Sequence, residues 1–302
     1  MFKVTVLGTA AATPTRERGL PALALQREGK LLLFDCGEGT QRQMMLARPP
    51  LSNPDYIFVS HMHGDHVLGI PGLLQSLALQ DRRKALNIFG PKGLKEFVEC
   101  NLEALKVNLP YKLILRKTKV GTILEEEAFV VRAEKTEHAD ESYAYRLDER
   151  SRPGRFHPEK ALSLGVPRGP LWKKLQDGRA VKVNGELVRP SQVLGPRRRG
   201  RSLGYSGDAR PTERLARFFR GVDLLVFDGT YSSEYADKAM QYSHSTVEEG
   251  AKLAAKARVG RLILTHISAR MNDEAALLEQ AKSAFRNAEI AHDFLSVELP
   301  LP

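Results

Sequence analysis

Residues 60–69 read SHMHGDHVLG, which sets His61, His63, Asp65 and His66 within six positions. Imidazole and carboxylate without a thiolate suit a borderline divalent cation, zinc first, with manganese or iron as substitutes. His61 and His63 are two apart, so on an extended segment both side chains project to the same side. Asp65 and His66 follow across Gly64. Four candidate ligands in six residues exceed what one ion usually takes from a single loop, whereas two adjacent ions would use them all. Such a pair needs further ligands, and later apolar runs end on them: His138 closes VRAEKTEH, Asp208 closes YSGD and His266 closes RLILTH. Singly, each has an ordinary explanation: a surface histidine, an aspartate capping a helix near Pro211, a histidine in a strand-to-helix turn. Together they complete a set of seven, in which the Asp208 carboxylate could bridge two ions.

These residues need strands to present them. KVTVLG, KLLLFDCG, DYIFVSH, DLLVFDGT and RLILTH are short apolar runs ending in polar or Gly residues, the pattern of buried strands feeding functional loops. VRAEKTEH and SYAYRLDE read as a hairpin-like pair, and RSLGYSGD as a further strand. Apolar residues at three- and four-residue spacing predict helices over 91–106, 211–220, 246–258 and 272–285. Alternating helices and strands imply an α/β body over residues 1–302. LGTAAATP lacks the Gly-x-Gly-x-x-Gly spacing of a dinucleotide loop.

The net charge of +10 is local. Residues 150–201 hold 14 Lys or Arg against three acids, a charge of +11 that leaves about −1 for the rest. The same stretch has seven Gly and six Pro, a composition that resists regular structure and predicts an extended, inserted arm. A positive arm of this kind would bind a polyanion through phosphate contacts; a solvated linker is the plainer reading. Trp172, Phe156 and the Gly169-Pro170 and Gly195-Pro196 pairs exceed what a spacer needs. Two cysteines, Cys36 and Cys100, predict a reducing cytoplasm and exclude a Cys-rich zinc finger. Nothing resembles a signal peptide, and no apolar run approaches the roughly 20 residues of a membrane helix.

HMHGDH, with His138, Asp208 and His266 at the ends of later strands, resembles the metallo-β-lactamase superfamily, whose αββα sandwich carries a dinuclear site at one edge. The resemblance narrows to ribonuclease Z through VLGTAAATPTRERG, SHMHGDHVLGIPGLL, the stretch from ERSRPGRF to LGPRRRG, YSGDARP, QYSHST and LTHISAR, in order over nearly the whole length. It implies an αββα sandwich with an inserted basic Gly/Pro-rich arm at 150–201 acting as a tRNA-binding exosite. It implies two zinc ions per subunit, or manganese in their place: one held by His61, His63 and His138, the other by Asp65, His66 and His266, with Asp208 shared. Asp65 would also accept a proton from the attacking water. His244 in QYSHST would donate one to the leaving oxygen, although the same position suits a residue beside a helix cap. Asp228 would orient His244. The family usually has His-Glu-Ala-Thr where this chain has Phe227-Asp228-Gly229-Thr230, so the carboxylate reaches one methylene less far. The loop usually written Pro-x-Lys-x-Arg-Asn is here Pro14-Thr15-Arg16-Glu17-Arg18-Gly19.

The activity so implied is removal of the 3′ trailer from precursor tRNA by a cytoplasmic homodimer, away from any membrane. Candidate RNA contacts are Arg16 and Arg18 in the loop and Arg152, Arg155, Arg168, Lys173 and Lys174 in the arm. A small-molecule or cyclic-nucleotide phosphodiesterase of the same superfamily would share the metal residues without using the arm. A non-catalytic RNA-binding protein would not need the seven ligands and His244.

Overall fold

The structure of the protein is a computed structural model that describes residues 1–301. One sheet joins β1 (Phe2–Gly8), β2 (Ala22–Arg27), β3 (Lys30–Phe34), β4 (Tyr56–Phe58), β5 (Leu86–Gly90), β6 (Leu113–Lys117) and β16 (Ser296–Glu298) in the order 16-1-2-3-4-5-6. Its β3 to β6 run parallel. A second joins β7 (Gly121–Glu125), β8 (Phe129–Lys135), β9 (Tyr143–Glu149), β12 (Ser202–Tyr205), β13 (Leu224–Asp228), β14 (Arg261–Thr265) and β15 (Ala288–Ile290) in the order 15-14-13-12-9-8-7. There β12 to β15 run parallel. The five apolar runs, the hairpin pair and the four helices expected from periodicity all fall on such elements.

Side-chain alternation along the strands builds the layers. Leu33, Ile57 and Ile88 face the helices Thr40–Leu46, Gly69–Leu79 and Leu94–Ala104, joining Met44, Leu73, Leu77 and Val98 in one core. Phe34 and Phe58 point the other way and meet the second sheet, with Phe58 and Tyr145 ring centroids 5.5 Å apart and Phe34 and Tyr205 5.7 Å. On the far side, Leu225, Phe227, Leu262 and Leu264 pack under the helices Glu213–Phe218, Val247–Ala257 and Glu274–Ala284. This is the αββα sandwich. Parallel strands leave their C-terminal ends along one edge of each sheet, where ligand-binding loops of α/β folds gather.

The helix Gly69–Leu79 escapes a periodicity reading because Gly69, Pro71 and Gly72 crowd its first turn. They are tolerated there, since first-turn N–H groups have no partner within the helix. Gly69 is required: a Cβ would stand 2.0 Å from the Gly37 carbonyl oxygen, while the Gly69 N–H donates to Cys36 O at 3.0 Å. That close approach fixes the HGDH segment against the end of β3.

Asp148–Arg201, with Glu127–Phe129, form a second compact unit. The expected extended stretch without regular structure is corrected here. The segment carries helices Pro158–Ser163, Pro170–Gln176 and Pro190–Val193 and a hairpin of β10 (Val181–Val183) and β11 (Glu186–Val188). Each helix begins on its proline, whose fixed φ suits that position and whose missing N–H costs nothing there. Ala161, Val166, Leu175, Val181, Val188 and Val193 are its core, with Phe156 and Trp172 packed against them. Glu149 and Arg201 pair bidentately at 2.7 and 2.8 Å where the segment begins and ends. No described helix is long and apolar enough to cross a membrane.

Candidate metal centre

His61, His63, Asp65 and His66 follow β4, and His138 follows β8. Asp208, Asp228 and His266 lie at the ends of β12, β13 and β14. The fold draws these sites into two groups that share Asp208, His61, His63 and His138 on one side and Asp65, His66 and His266 on the other, overlapped by a third of Asp208, Asp228, His244 and His266. Within each group one ligand atom per residue lies within 4.8 Å of all the others. Asp208 Oδ2 is 3.7 Å from His61 Nε2, 3.6 Å from His138 Nε2 and 3.3 Å from His266 Nε2. His66 Nε2 is 3.5 Å from Asp65 Oδ2 and 3.3 Å from Asp208 Oδ1. Donor atoms about 2.0–2.1 Å from a tetrahedral ion are roughly 3.4 Å apart, so these spacings fit coordination.

Among the described residues, His61 Nε2, His66 Nε2 and Asp208 Oδ1 are buried without a hydrogen-bond partner. Such orphans are costly inside a protein and demand a partner of another kind. Four of the five histidines engage the opposite ring nitrogen: His61 Nδ1 with Ser60 Oγ at 3.0 Å, His66 Nδ1 with Asp35 at 2.7 Å, His138 Nδ1 with Ser243 O at 3.1 Å and His266 Nδ1 with Thr230 Oγ1 at 2.9 Å. This is how a protein fixes the tautomer and orientation of ligating imidazoles. The residues fit a divalent cation held at each group.

Charge follows the same logic. Burial drives the His61 imidazole well below the ordinary histidine range, with His66 adding to the effect, and burial also lowers His138. Burial opposes ionisation of Asp208, but His266 and His66 outweigh it and hold the carboxyl well below its usual value. His66 is raised far above its ordinary value: burial opposes its charge, and Asp208 and Asp35 prevail. A cation arriving there would take the place of that proton.

Asp228 and His244 form a third element beside the two groups. His244 Nδ1 meets Asp228 Oδ2 at 2.8 Å, so the shorter acid reaches its target. The carboxylate also accepts from the N–H groups of Ala209 and Thr230, each at 3.0 Å, and from Thr230 Oγ1 at 2.7 Å. Both of its oxygens are thus engaged within the fold. At Gly229 a Cβ would come 2.9 Å from that of Leu264, too close to be accommodated without a shift. Burial works against a charged His244, but Asp228 raises its pKa to about 9.

Reading the sequence missed Asp35, Ser60, Tyr205 and Thr230. Asp35 accepts from Tyr205 OH at 2.6 Å, Ser60 Oγ at 2.8 Å and the Ser60 N–H at 2.6 Å, and so anchors His66. Its signal was an acid interrupting KLLLFDCG, a run otherwise apolar. Of the expected RNA contacts, Arg16, Arg155, Arg168, Lys173 and Lys174 are exposed and Arg152 is half-buried. Lys173 pairs with Asp177 at 2.8 Å, and the Arg168 guanidinium lies 5.9 Å from the Trp172 ring. Arg18 departs from expectation. Its side chain is 10% exposed, donating to Thr9 Oγ1 and Ala291 O at 2.7 Å each and pairing with Glu274, so both terminal nitrogens are engaged within the fold.

Residues 177–267 match the family description "Beta-lactamase superfamily domain", and residues 2–111 match "Anti-Pycsar protein Apyc1". The ribonuclease Z of Methanosarcina acetivorans is 46% identical over 301 residues, covering 99% of each chain. That of Nitrosopumilus maritimus is 42% identical over 298 residues, covering 99% of this chain and 100% of its own. Among solved structures, the short form of human tRNase Z aligns over 99% of this chain and 100% of its own, with a TM-score of 0.72 at 26% identity. Likeness at that level extends over nearly the full chain, and by it the chain belongs to the ribonuclease Z family.

Proposed function

We propose that this protein is a metal-dependent endoribonuclease that cuts precursor tRNA beyond the discriminator base. It leaves a 3′ hydroxyl on the tRNA and a 5′ phosphate on the trailer. The observation that carries this reading is the conjunction of two ligand groups sharing Asp208 with a His244–Asp228 pair, of which His63, Asp65, His138, Asp208, His244 and His266 line a cavity of about 430 Å³. We assign one zinc ion to His61, His63, His138 and Asp208 and a second to Asp65, His66, His266 and Asp208, with manganese as a substitute. Two such ions supply charge neutralisation on phosphate oxygens and acidify a water molecule.

The chain's own groups do the rest. Asp65, whose carboxyl is kept ionised by His266 and His66 against the effect of burial, is placed to accept a proton from the attacking water. The leaving 3′ oxygen needs a proton in return. His244 lines the cavity with Nδ1 committed to Asp228, whose carboxylate favours the protonated ring, so Nε2 carries the transferable proton. Asp228 holds the tautomer and stabilises the imidazolium before transfer. Cations in the 150–201 segment, with exposed Arg16, would hold the tRNA by phosphate and shape contacts. We further propose a cytoplasmic homodimer in which one subunit's basic segment presents substrate to its partner's site, checked by light scattering.

The test is a precursor tRNA bearing a 3′ trailer, incubated with the protein with and without chelator, beside a variant lacking residues 150–201. Metal-dependent trailer release, weakened by the deletion while bis(p-nitrophenyl) phosphate is still hydrolysed, is the expected result. An intact precursor with the small diester cut equally by both forms would favour a small-molecule phosphodiesterase.

A further inference from the structure

We propose that Arg18 is a positioning residue for the cleavage step, acting through loop Ala10–Gly19 on Asp65 rather than touching RNA. The inference rests on the nuclease reading above. Arg18 joins three separate parts of the chain: Thr9 at the end of β1, the Ala291 carbonyl, and Glu274 at the start of its helix. The Thr9 hydroxyl donates onward to Asp293 Oδ1 at 2.7 Å. Asp293 Oδ2 accepts from the Gly19 N–H and from Gln43 Nε2, each at 2.7 Å. Both feet of the loop are therefore fastened, and the N–H groups of Thr9 and Ala10 close it on Gly19 O at 2.9 Å.

Held this way, the loop delivers two contacts to the metal residues. The Ala12 N–H donates to Asp65 Oδ2 at 3.1 Å. Ala11 N–H donates to Ile267 O at 3.1 Å and Ile267 N–H to Thr9 O at 2.8 Å, bracing the residue after His266. Ala12 sits at φ 59°, a left-handed conformation that costs a residue with a Cβ roughly 1–2 kcal/mol and persists only where surroundings enforce it. The Arg18 network is that enforcement. Asp65 Oδ2 also lies 3.4 Å from His266 Nε2, so a shift of the loop reaches a proposed ligand and proton acceptor together.

Arg18→Ala, Arg18→Lys and Thr9→Val are measured on precursor tRNA and on bis(p-nitrophenyl) phosphate, with zinc affinity by chelator competition. The expected result for Arg18→Ala is a matched fall in kcat of roughly 10- to 100-fold on both substrates, KM for tRNA changing little, and a zinc affinity weakened by about 10-fold or more. Lysine restores part of this, because one ammonium cannot span three acceptors. Thr9→Val removes the hydroxyl bridge with little change of shape and gives a smaller fall of the same kind, which decides the matter should the arginine variants fail to fold. A loss confined to KM for tRNA, with the diester and zinc affinity untouched, overturns the proposal and makes Arg18 an RNA contact. No change in any readout overturns it equally. If wild type hydrolyses the diester but leaves the precursor intact, the nuclease reading fails while the diester and zinc data still judge Arg18.

Discussion

The ligand cluster and the basic segment carry opposite kinds of chemistry in one chain. At the cluster every residue but His63 is buried or half-buried, and several are held by a second group, as Asp35 holds His66 and Asp228 holds His244. In the segment the charges of Arg155, Arg168 and Lys174 stand in solvent on a small apolar core. Bond breaking needs donors placed to within a fraction of an ångström, whereas a polyanion is gathered by charge density. Substitutions should therefore act steeply and on any diester in the first region, and gradually, on RNA alone, in the second.

The sharpest break comes at Asp208. Asp208→Asn removes the one carboxylate common to both groups, and bound metal falls together with cleavage of both substrates, by roughly 1000-fold or more. Atomic absorption beside a rate assay checks it. His244→Ala is expected to lower precursor cleavage by roughly 100- to 10000-fold. The small diester should lose much less, because p-nitrophenolate leaves without a proton. A pKa raised to about 9 means the acid form dominates at pH 7 and is lost as pH climbs through that value. Bound cations favour the neutral ring and move the fall of activity to lower pH, so NMR titration with and without zinc should separate the two.

In the segment, replacing Arg155, Arg168 and Lys174 by Ala should weaken tRNA binding and flatten the log–log salt dependence by roughly three units. A salt titration of binding decides this, and an unchanged slope would remove these cations from the interface. The smallest effect belongs to Asp228→Glu. The site is fully buried and already makes its bond to His244, so the added methylene overpacks it, costing about 1–3 kcal/mol and a few degrees of Tm.

The sequence by itself determined the candidate ligand types, their clustering in HMHGDH and the strands that end on them, because these are local facts of residue type and period. It also located the positive charge at 150–201. It misjudged the shape of that segment, since prolines that look like breakers are helix starters once their first turns are known. Only the tertiary structure decided which residues serve the ligands. Asp35 and Tyr205 are 170 positions apart and meet at 2.6 Å, and Arg18 lies 256 positions from the glutamate that occupies it. A cation in a loop reads as exposed until the fold brings its acceptors. Partners so distant are chosen by sheet register and by how two sheets close, and neither is written in the residues near them.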